Sequence, residues 1–410
     1  MKGLLPEGPA VIVPPLARAT DNRMRTPLPR TVFALGAVSF FTDLSSEMIV
    51  PLLPVFMTGL GASMVYIGLL QGLSELVVAA LKLASGWLSD RQQHRKPWLL
   101  FGYGLSTLMR PLFALVQTPL QAVLVRSGDR VGKGLRSAPR DALIVDCVPK
   151  DRRGEAFGVQ RAMDHAGALG GALAGSALLA IGCEMRMVFA LALVPGLFAV
   201  LTLVFGVRES AAENGAVVAT VSKPEHVVRR LAPFLAVVVL AAVGSAVDLF
   251  ALARASELGV PIAGLPLLWA VLHVARAGLS RPLGTLSDRL GRVPVIAYGL
   301  SVHIVVMLGF ATVEHSGWLW PLFAVHGLHA AFTEGAERGY VADLTGAGKR
   351  GRVFGVYHAA QGVALFAGPL LLGLVWDRHG AGAAFAVAAG ASLLALLLLP
   401  IVVRSQRLRG

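Results

Sequence analysis

The chain has 410 residues, 55% of them hydrophobic and 15% charged. Soluble domains carry about 25% charged residues. The deficit, with a mean hydropathy of +0.68, excludes a protein built on one soluble core and implies a polytopic membrane protein. A formal net charge of +13 would mean nucleic acid on a soluble chain; on a membrane protein it reflects Lys and Arg gathered in cytoplasmic loops.

Residues 1–30 are rich in Pro and Arg and lack the apolar core of a signal peptide, so they read as a disordered cytoplasmic tail. A spanning helix needs roughly 20 mostly apolar residues. Twelve stretches qualify, near 33–58, 64–88, 97–116, 119–140, 155–181, 186–206, 231–254, 262–286, 293–313, 318–340, 352–376 and 382–403. They predict an all-α protein of two six-helix bundles, 31–207 and 231–404, joined by a polar cytoplasmic linker at 208–230 and ending in a tail at 405–410. Lys and Arg crowd the even-numbered loops, as at Lys150, Arg152 and Arg153, while the odd-numbered loops hold little beyond Arg186 and Arg378. By the positive-inside rule both termini are cytoplasmic. Cys147 and Cys183 are too few for a disulfide framework.

Ionisable residues inside spans are costly and mark function by default. The first span carries Asp43 and Glu47, four residues apart and so on one helix face. Pro51 and Pro54 follow and predict a bend. A buried carboxylate holds or releases its proton according to its partners, which suits proton coupling; the alternative is a structural ion pair with Arg110 or the fourth span. The fifth span adds Arg161, Asp164 and His165. Acids and bases elsewhere, such as Glu334, Glu337 and Arg338, can pair on their own helix, and interior histidines such as His303, His326 and His329 read as hydrogen-bonded core residues. No His/Cys spacing suits a metal, and no Ser/His/Asp motif indicates an enzyme.

The fourth span contains SGDRVGKGLRSAPRD, from Ser127 to Asp141. As a phosphate loop it fails, because Gly128 to Gly132 is one residue short and Lys133 is followed by Gly134. As a helix at about 100° per residue, Arg126, Asp129, Arg130, Lys133, Arg136 and Arg140 fall within an arc of roughly 120°. A polar stripe on an apolar spanning helix must face the bundle interior or an aqueous cavity. Asp129 and Lys133 are spaced to pair, and Asp141 and Asp146 are placed to meet Arg91, Arg95 or Arg140 at the cytoplasmic end.

The halves repeat each other. GWLSDR at 86–91 matches GTLSDR at 284–289, ALIVD at 142–146 matches GYVAD at 339–343, and RRGEAFGV at 152–159 matches KRGRVFGV at 349–356. Such duplication is the layout of a transporter whose substrate site lies between two related halves.

These motifs resemble the major facilitator superfamily, whose loop signature after the second span is G-x-L-x-D-R-x-G-R-[KR]. Gly86, Leu88, Asp90, Arg91, Arg95 and Lys96 fit it in the first half, without the inner Gly. Gly284, Leu286, Asp288, Arg289, Gly291 and Arg292 fit it in the second. The resemblance, over residues 31–404, implies an alternating-access carrier in which this motif gates: its Gly would let the second and eleventh spans approach, and its Asp would latch one state from a helix N-terminus. Drug–proton antiporters of the family carry R-x-x-Q-G in the fourth span; Arg130, Lys133 and Gly134 stand there, with Lys for Gln. Their fifth-span signature is echoed by AGALGG at 166–171, without its Pro.

Two functions follow as expectations. One is proton-coupled efflux of a small organic molecule across a bacterial inner membrane, with Asp43 and Glu47 taking the proton, Arg130 assisting and the proton gradient as energy source. The other is transport of an organic anion or zwitterion bound by Arg126, Arg130, Lys133 and Arg161, favoured by strong Coulomb attraction where water is scarce. The expected partners are a small-molecule substrate and the lipid bilayer, with no nucleic acid, cofactor or metal, and the chain acting as a monomer.

Overall fold

The computed structural model describes residues 27–89, 94–149, 152–207, 225–343 and 350–407. Among these every ordered element is helical. The first span comprises α1 (Arg30–Glu47), a 3-10 turn at Val50–Leu52 and α2 (Leu53–Gly59). The break falls at Pro51 and Pro54, which withhold the backbone N–H a continuous helix needs. α3 (Met64–Ser89) is the second span, and α4 (Lys96–Met109) with a 3-10 turn at Arg110–Leu115 is the third. α5 (Pro119–Cys147) and α6 (Arg153–Ala180) are the fourth and fifth, and α7 (Met185–Leu191) with α8 (Leu193–Gly206) forms the sixth. The seventh is α9 (Glu225–Ser245) and α10 (Asp248–Glu257), interrupted just before Asp248. α11 (Leu265–Leu290), α12 (Arg292–Thr312) and α13 (Leu319–Asp343) are the eighth to tenth. α14 (Arg350–Arg407) holds the last two, turning at Gly380, where φ 85° and ψ 172° suit glycine alone. Tyr357 and Val402, near its two ends, share one core cluster, so the element folds back on itself.

Among the described residues, seven stretches are long and apolar enough to cross a membrane, and the last of them, Gly355–Val402, contains both the eleventh and twelfth spans. The third, fourth, fifth and tenth spans miss that standard because they carry the polar residues of the interior.

Several boundaries differ from the sequence reading. The fourth span runs to Cys147 rather than 140. Arg30 is already helical, α9 starts at Glu225 inside the expected linker, and α14 reaches Arg407 inside the expected tail. Glu, Arg and Gln are good helix formers, so hydrogen bonding continues past the apolar stretch. Residues 1–26 and 208–224 of the expected tail and linker lie outside the described residues.

Packing shows which ends of the halves meet. One core cluster joins Leu35, Leu99, Tyr103 and Leu203 of the first half, and another joins Phe234, Leu300, Tyr357 and Leu399 of the second. The third draws from both, with Phe56, Phe189, Phe250, Trp269 and Phe385 together. It lies at the membrane face away from the termini. The halves are therefore sealed at that far face and parted at the terminal face.

Part of the seal is backbone against backbone. A Cβ at Gly68 would lie 2.2 Å from the Pro369 carbonyl oxygen, and one at Gly373 2.4 Å from that of Met64, so the second and eleventh spans touch where side chains are absent. The fifth span meets the eighth, where Ser176 Oγ donates to the Ala263 carbonyl at 2.7 Å. Asp377, at the far end of the eleventh span, accepts from the backbone N–H groups of Met64 and Val65 at 2.8 and 3.1 Å. It thus caps the first turn of α3 across the two halves, satisfying donors the helix leaves open and placing negative charge at its positive end. Within the first half, Gly167 and Gly171 of the AGALGG stretch press the fifth span onto the first: a Cβ at either would lie 2.2 and 2.4 Å from the carbonyls of Phe40 and Leu44.

Removing this cap with Asp377→Ala should cost the far-face seal about 1 kcal/mol, a roughly five-fold shift of population. Paired spin labels on Thr58→Cys and His379→Cys, with Cys147 and Cys183 replaced by Ser, should report a larger fraction of long distances.

Candidate functional site

A cavity of about 440 Å³ lies between the halves, walled by the first, second and fourth spans on one side and the seventh, eighth, tenth and eleventh on the other. Its first wall is dominated by α5. Thr118 caps that helix: its Oγ1 accepts from Gln121 N, and Gln121 Oε1 accepts from Thr118 N, in a capping box followed by Pro119 at the first helical position. The helix so begun presents the charged stripe, but not all of it to the cavity. Arg126, Arg130 and Lys133 line the cavity. Asp129 and Arg136, on one edge of the arc, turn to the third span instead. Arg136 stacks on the Tyr103 ring at 4.5 Å and donates to Ser106 Oγ. Close contact is possible there because α4 and α5 cross at Gly102 and Gly132. Arg140 pairs with Asp141 at 2.9 Å.

Asp129 is the pivot of the wall. Its carboxylate accepts from Arg110 Nε at 3.1 Å and Arg126 Nη1 at 3.4 Å, with Arg130 Nε at 4.0 Å. Arg110 also donates to the Thr42 carbonyl at 2.8 Å, tying the third span to the first. The expected pairing of Asp129 with Lys133 is therefore corrected, as is a pairing of Arg110 with the first-span acids: Asp129 sits at the stripe's edge facing Arg110, whereas Lys133 points into the cavity, where it is exposed. Three guanidiniums share one carboxylate, which leaves positive charge in excess. The Nε atoms of Arg126 and Arg130 are buried without a hydrogen-bond partner.

The first-span acids part company. Glu47 reaches the cavity, accepting from Trp269 Nε1 of the eighth span at 2.7 Å and from Ser46 Oγ at 3.1 Å. Asp43 does not line it, but lies within reach of the charges of Asp164, Lys133, Glu47 and Arg136. Arg161 and Asp164 also stand off the cavity wall, Arg161 exposed and Asp164 accepting from Gln160 Nε2 at 2.6 Å.

The second wall carries paired groups that spacing did not reveal. Arg276 of the eighth span pairs with Glu334 of the tenth, and Tyr357 of the eleventh donates to Glu337 at 2.9 Å. Glu334 and Glu337 are thus held by neighbouring spans rather than by Arg338 on their own helix. His326 meets Asp248 of the seventh span at 2.9 Å. Trp269 and Tyr357 escaped the sequence reading altogether, since an aromatic residue in an apolar span gives no signal until its partner is known.

The gating residues sit at the terminal face. Arg95 pairs with Asp146, and Arg292 lies 3.5 Å from Asp343, the matching positions of the two repeats. Arg292 also pairs with Asp288 at 2.6 Å. Asp288 and Arg289 occupy the last turn of α11, not a helix N-terminus, so the acid opposes the helix dipole and is offset by Arg292. A Cβ at Gly284 would meet nothing within 4 Å; the close approach of the second and eleventh spans belongs to Gly68 and Gly373. Asp90 and Arg91 lie outside the described residues, and the surroundings of Gly86 are likewise undescribed.

The family model of the Major Facilitator Superfamily matches residues 35–336 and 234–409. An MFS-type transporter of Methanocaldococcus jannaschii is 32% identical over 367 residues, covering 87% of this chain and 91% of that protein. The chain belongs to the Major Facilitator Superfamily. It is a multi-pass membrane transporter, in a transporter family rather than an enzyme family. The superfamily fold is seen again in the crystal structure of the nucleoside transporter NupG, with a TM-score of 0.77 at 14% identity over 91% of this chain and 98% of that one. Over a shorter stretch of 145 residues, 34% of each chain, the tetracycline resistance protein, class C, of Escherichia coli is 35% identical.

Asp129→Asn should leave buried guanidiniums without a counter-charge and destabilise the chain by about 3–5 kcal/mol, read as a large fall in Tm in detergent. Adding Arg110→Met to the same chain should recover part of the loss, because it removes one of the stranded charges.

Proposed function

We propose that the chain is a secondary transporter that moves a small organic anion or zwitterion by alternating access, its anionic group held by Arg130 and Lys133. The observation that carries this reading is the excess positive charge on the first wall: Asp129 is already shared by three guanidiniums, so Arg130 and Lys133 present charge to the cavity. Glu47 and Glu75 share that wall, and Glu47 is engaged by Trp269. Glu334 and Glu337 stand on the facing wall, where a cationic group of a zwitterion would be received. The carrier works as a monomer in a bacterial inner membrane, without a cofactor. Its Lys and Arg distribution supports a cytoplasmic position for both termini, and with them for the parted ends of the halves.

Proton-driven export is the second reading. Glu47 supports it, as a cavity carboxylate whose bond to Trp269 joins the two halves and must break when they rock. The relationship to a tetracycline resistance protein over a third of the chain points the same way.

A thermal-shift panel of organic carboxylates, phosphates, zwitterions and cations on purified protein tests the first reading. Anionic and zwitterionic members should raise Tm, and Arg130→Gln or Lys133→Gln should weaken the response roughly 10- to 100-fold, the value of a charge-assisted hydrogen bond of about 1.5–3 kcal/mol. Stabilisation by cations alone would overturn it. For the second reading, proteoliposomes loaded with a ligand from that panel should lose flux driven by a pH gradient in Glu47→Gln while keeping ligand exchange; undiminished gradient-driven flux would sink it.

A further inference from the structure

Three polar atoms of the first wall have no partner. Arg126 Nε, Arg130 Nε and Gln71 Oε1 are buried and make no hydrogen bond, and the three side chains that carry them line the cavity. Gln71 belongs to the second span, α3, which runs beside α5 and in the same direction, from the far face to the terminal face. The register of the two helices is set at Gly134. A Cβ there would lie 2.6 Å from Leu81 Cβ and 3.4 Å from the Val78 carbonyl oxygen, and Ser85 Oγ donates to the Gly134 carbonyl at 3.0 Å. Both helices rise equally per residue, so two turns back from this contact Gln71 stands level with Arg126. One turn nearer the terminal face, Glu75 stands level with Arg130 and within reach of the charge of Lys133. The unmet atoms therefore share one niche, between the second and fourth spans at the edge of the anion cradle.

Their chemistry specifies what fits. A guanidinium Nε–H only donates, and an amide oxygen only accepts. A group that meets both Arg126 and Gln71 must accept and donate at once, as a hydroxyl does. An ammonium only donates; it would answer Gln71 but stand against the guanidiniums, and the charge of Glu75 that could draw it is opposed by Lys133. An ether oxygen accepts from Arg126 and leaves Gln71 unmet.

We propose that the cargo carries a hydroxyl beside its anionic group, and that Gln71 is the residue that selects it. The hydroxyl donates to Gln71 Oε1 and accepts from Arg126 Nε, while the anionic group stays with Arg130 and Lys133. The substrate class is thus a hydroxy acid or a similarly hydroxylated organic anion. No bond holds the three atoms in this state, so the side-chain turns that bring them onto a ligand break none. A polar atom left unmet in a closed site is costly, so a site of this kind discriminates strongly against an analogue that lacks the hydroxyl. The inference rests on the anion-carrier reading and narrows it.

The test is ligand affinity, by calorimetry on purified protein in detergent, with two matched sets. One has an aromatic body: mandelate, phenylacetate, α-methoxyphenylacetate and phenylglycine. The other is a dicarboxylate: malate, succinate, methoxysuccinate and aspartate. In at least one set the hydroxy acid should bind about 10-fold more tightly than the deoxy acid, and more tightly than the methoxy and amino members. Gln71→Met removes an acceptor that has no partner, so the fold loses no bond; it should bring hydroxy and deoxy acids to equal affinity. Gln71→Glu keeps an acceptor and adds a negative charge, and should move the preference from the hydroxy acid toward the amino acid. Arg130→Gln should weaken the hydroxy and deoxy acids together. Equal affinity of hydroxy and deoxy acids in both sets, no binding in either set, or a preference that survives both Gln71 variants would overturn the niche. Equal affinities that still fall in Arg130→Gln would overturn the niche and leave the anion carrier standing, whereas binding of cations alone would remove both.

Discussion

A charge inside a bilayer must be matched or must face water, and this requirement arranges the interior of the protein. Asp129 is matched three times over, by Arg110, Arg126 and Arg130. Its ion pairs draw the third span onto the fourth and, through Thr42, onto the first. What cannot be matched there is turned to the cavity. The polarity of the cavity wall is thus the remainder of a structural network, and the same side chains build the bundle and define what it receives.

The second half solves the same problem with different chemistry. Three of its cavity-lining acids are each met by a group from another span: Arg276 for Glu334, Tyr357 for Glu337, His326 for Asp248. At the terminal face the halves agree in detail, where Arg95–Asp146 and Arg292–Asp343 occupy equivalent positions. The duplication is legible in the ion pairs of the terminal face and not in the groups that line the cavity walls.

Much of this was legible in the sequence. Apolar length and the loop charges gave twelve spans, and helical periodicity gave a polar stripe on the fourth. The periodicity could not say which neighbour each edge of the stripe meets. Asp129 and Lys133 are correctly spaced to pair along one helix, yet Arg110 lies nineteen positions away in sequence and wins because the third span crosses beside it. Glu47 and Trp269 are separated by 222 positions. Contacts of that kind depend on the rotation and register of packed helices, which small residues such as Gly102 and Gly132 set through backbone approach rather than through any pattern of hydrophobicity. Asp43, Arg161 and Asp164 show the converse: their intramembrane charge was visible, but not that they stand off the cavity wall.

The seams at Gly68 and Gly373 bring carbonyls against α-carbons, with no side chain between. Contacts of this kind hold no information about cargo. Cavity-facing residues outside the Asp129 network, such as Lys133, can change without touching these seams, and with them the chemistry of the pocket. A lineage built on this plan can change what it carries without relearning how to move.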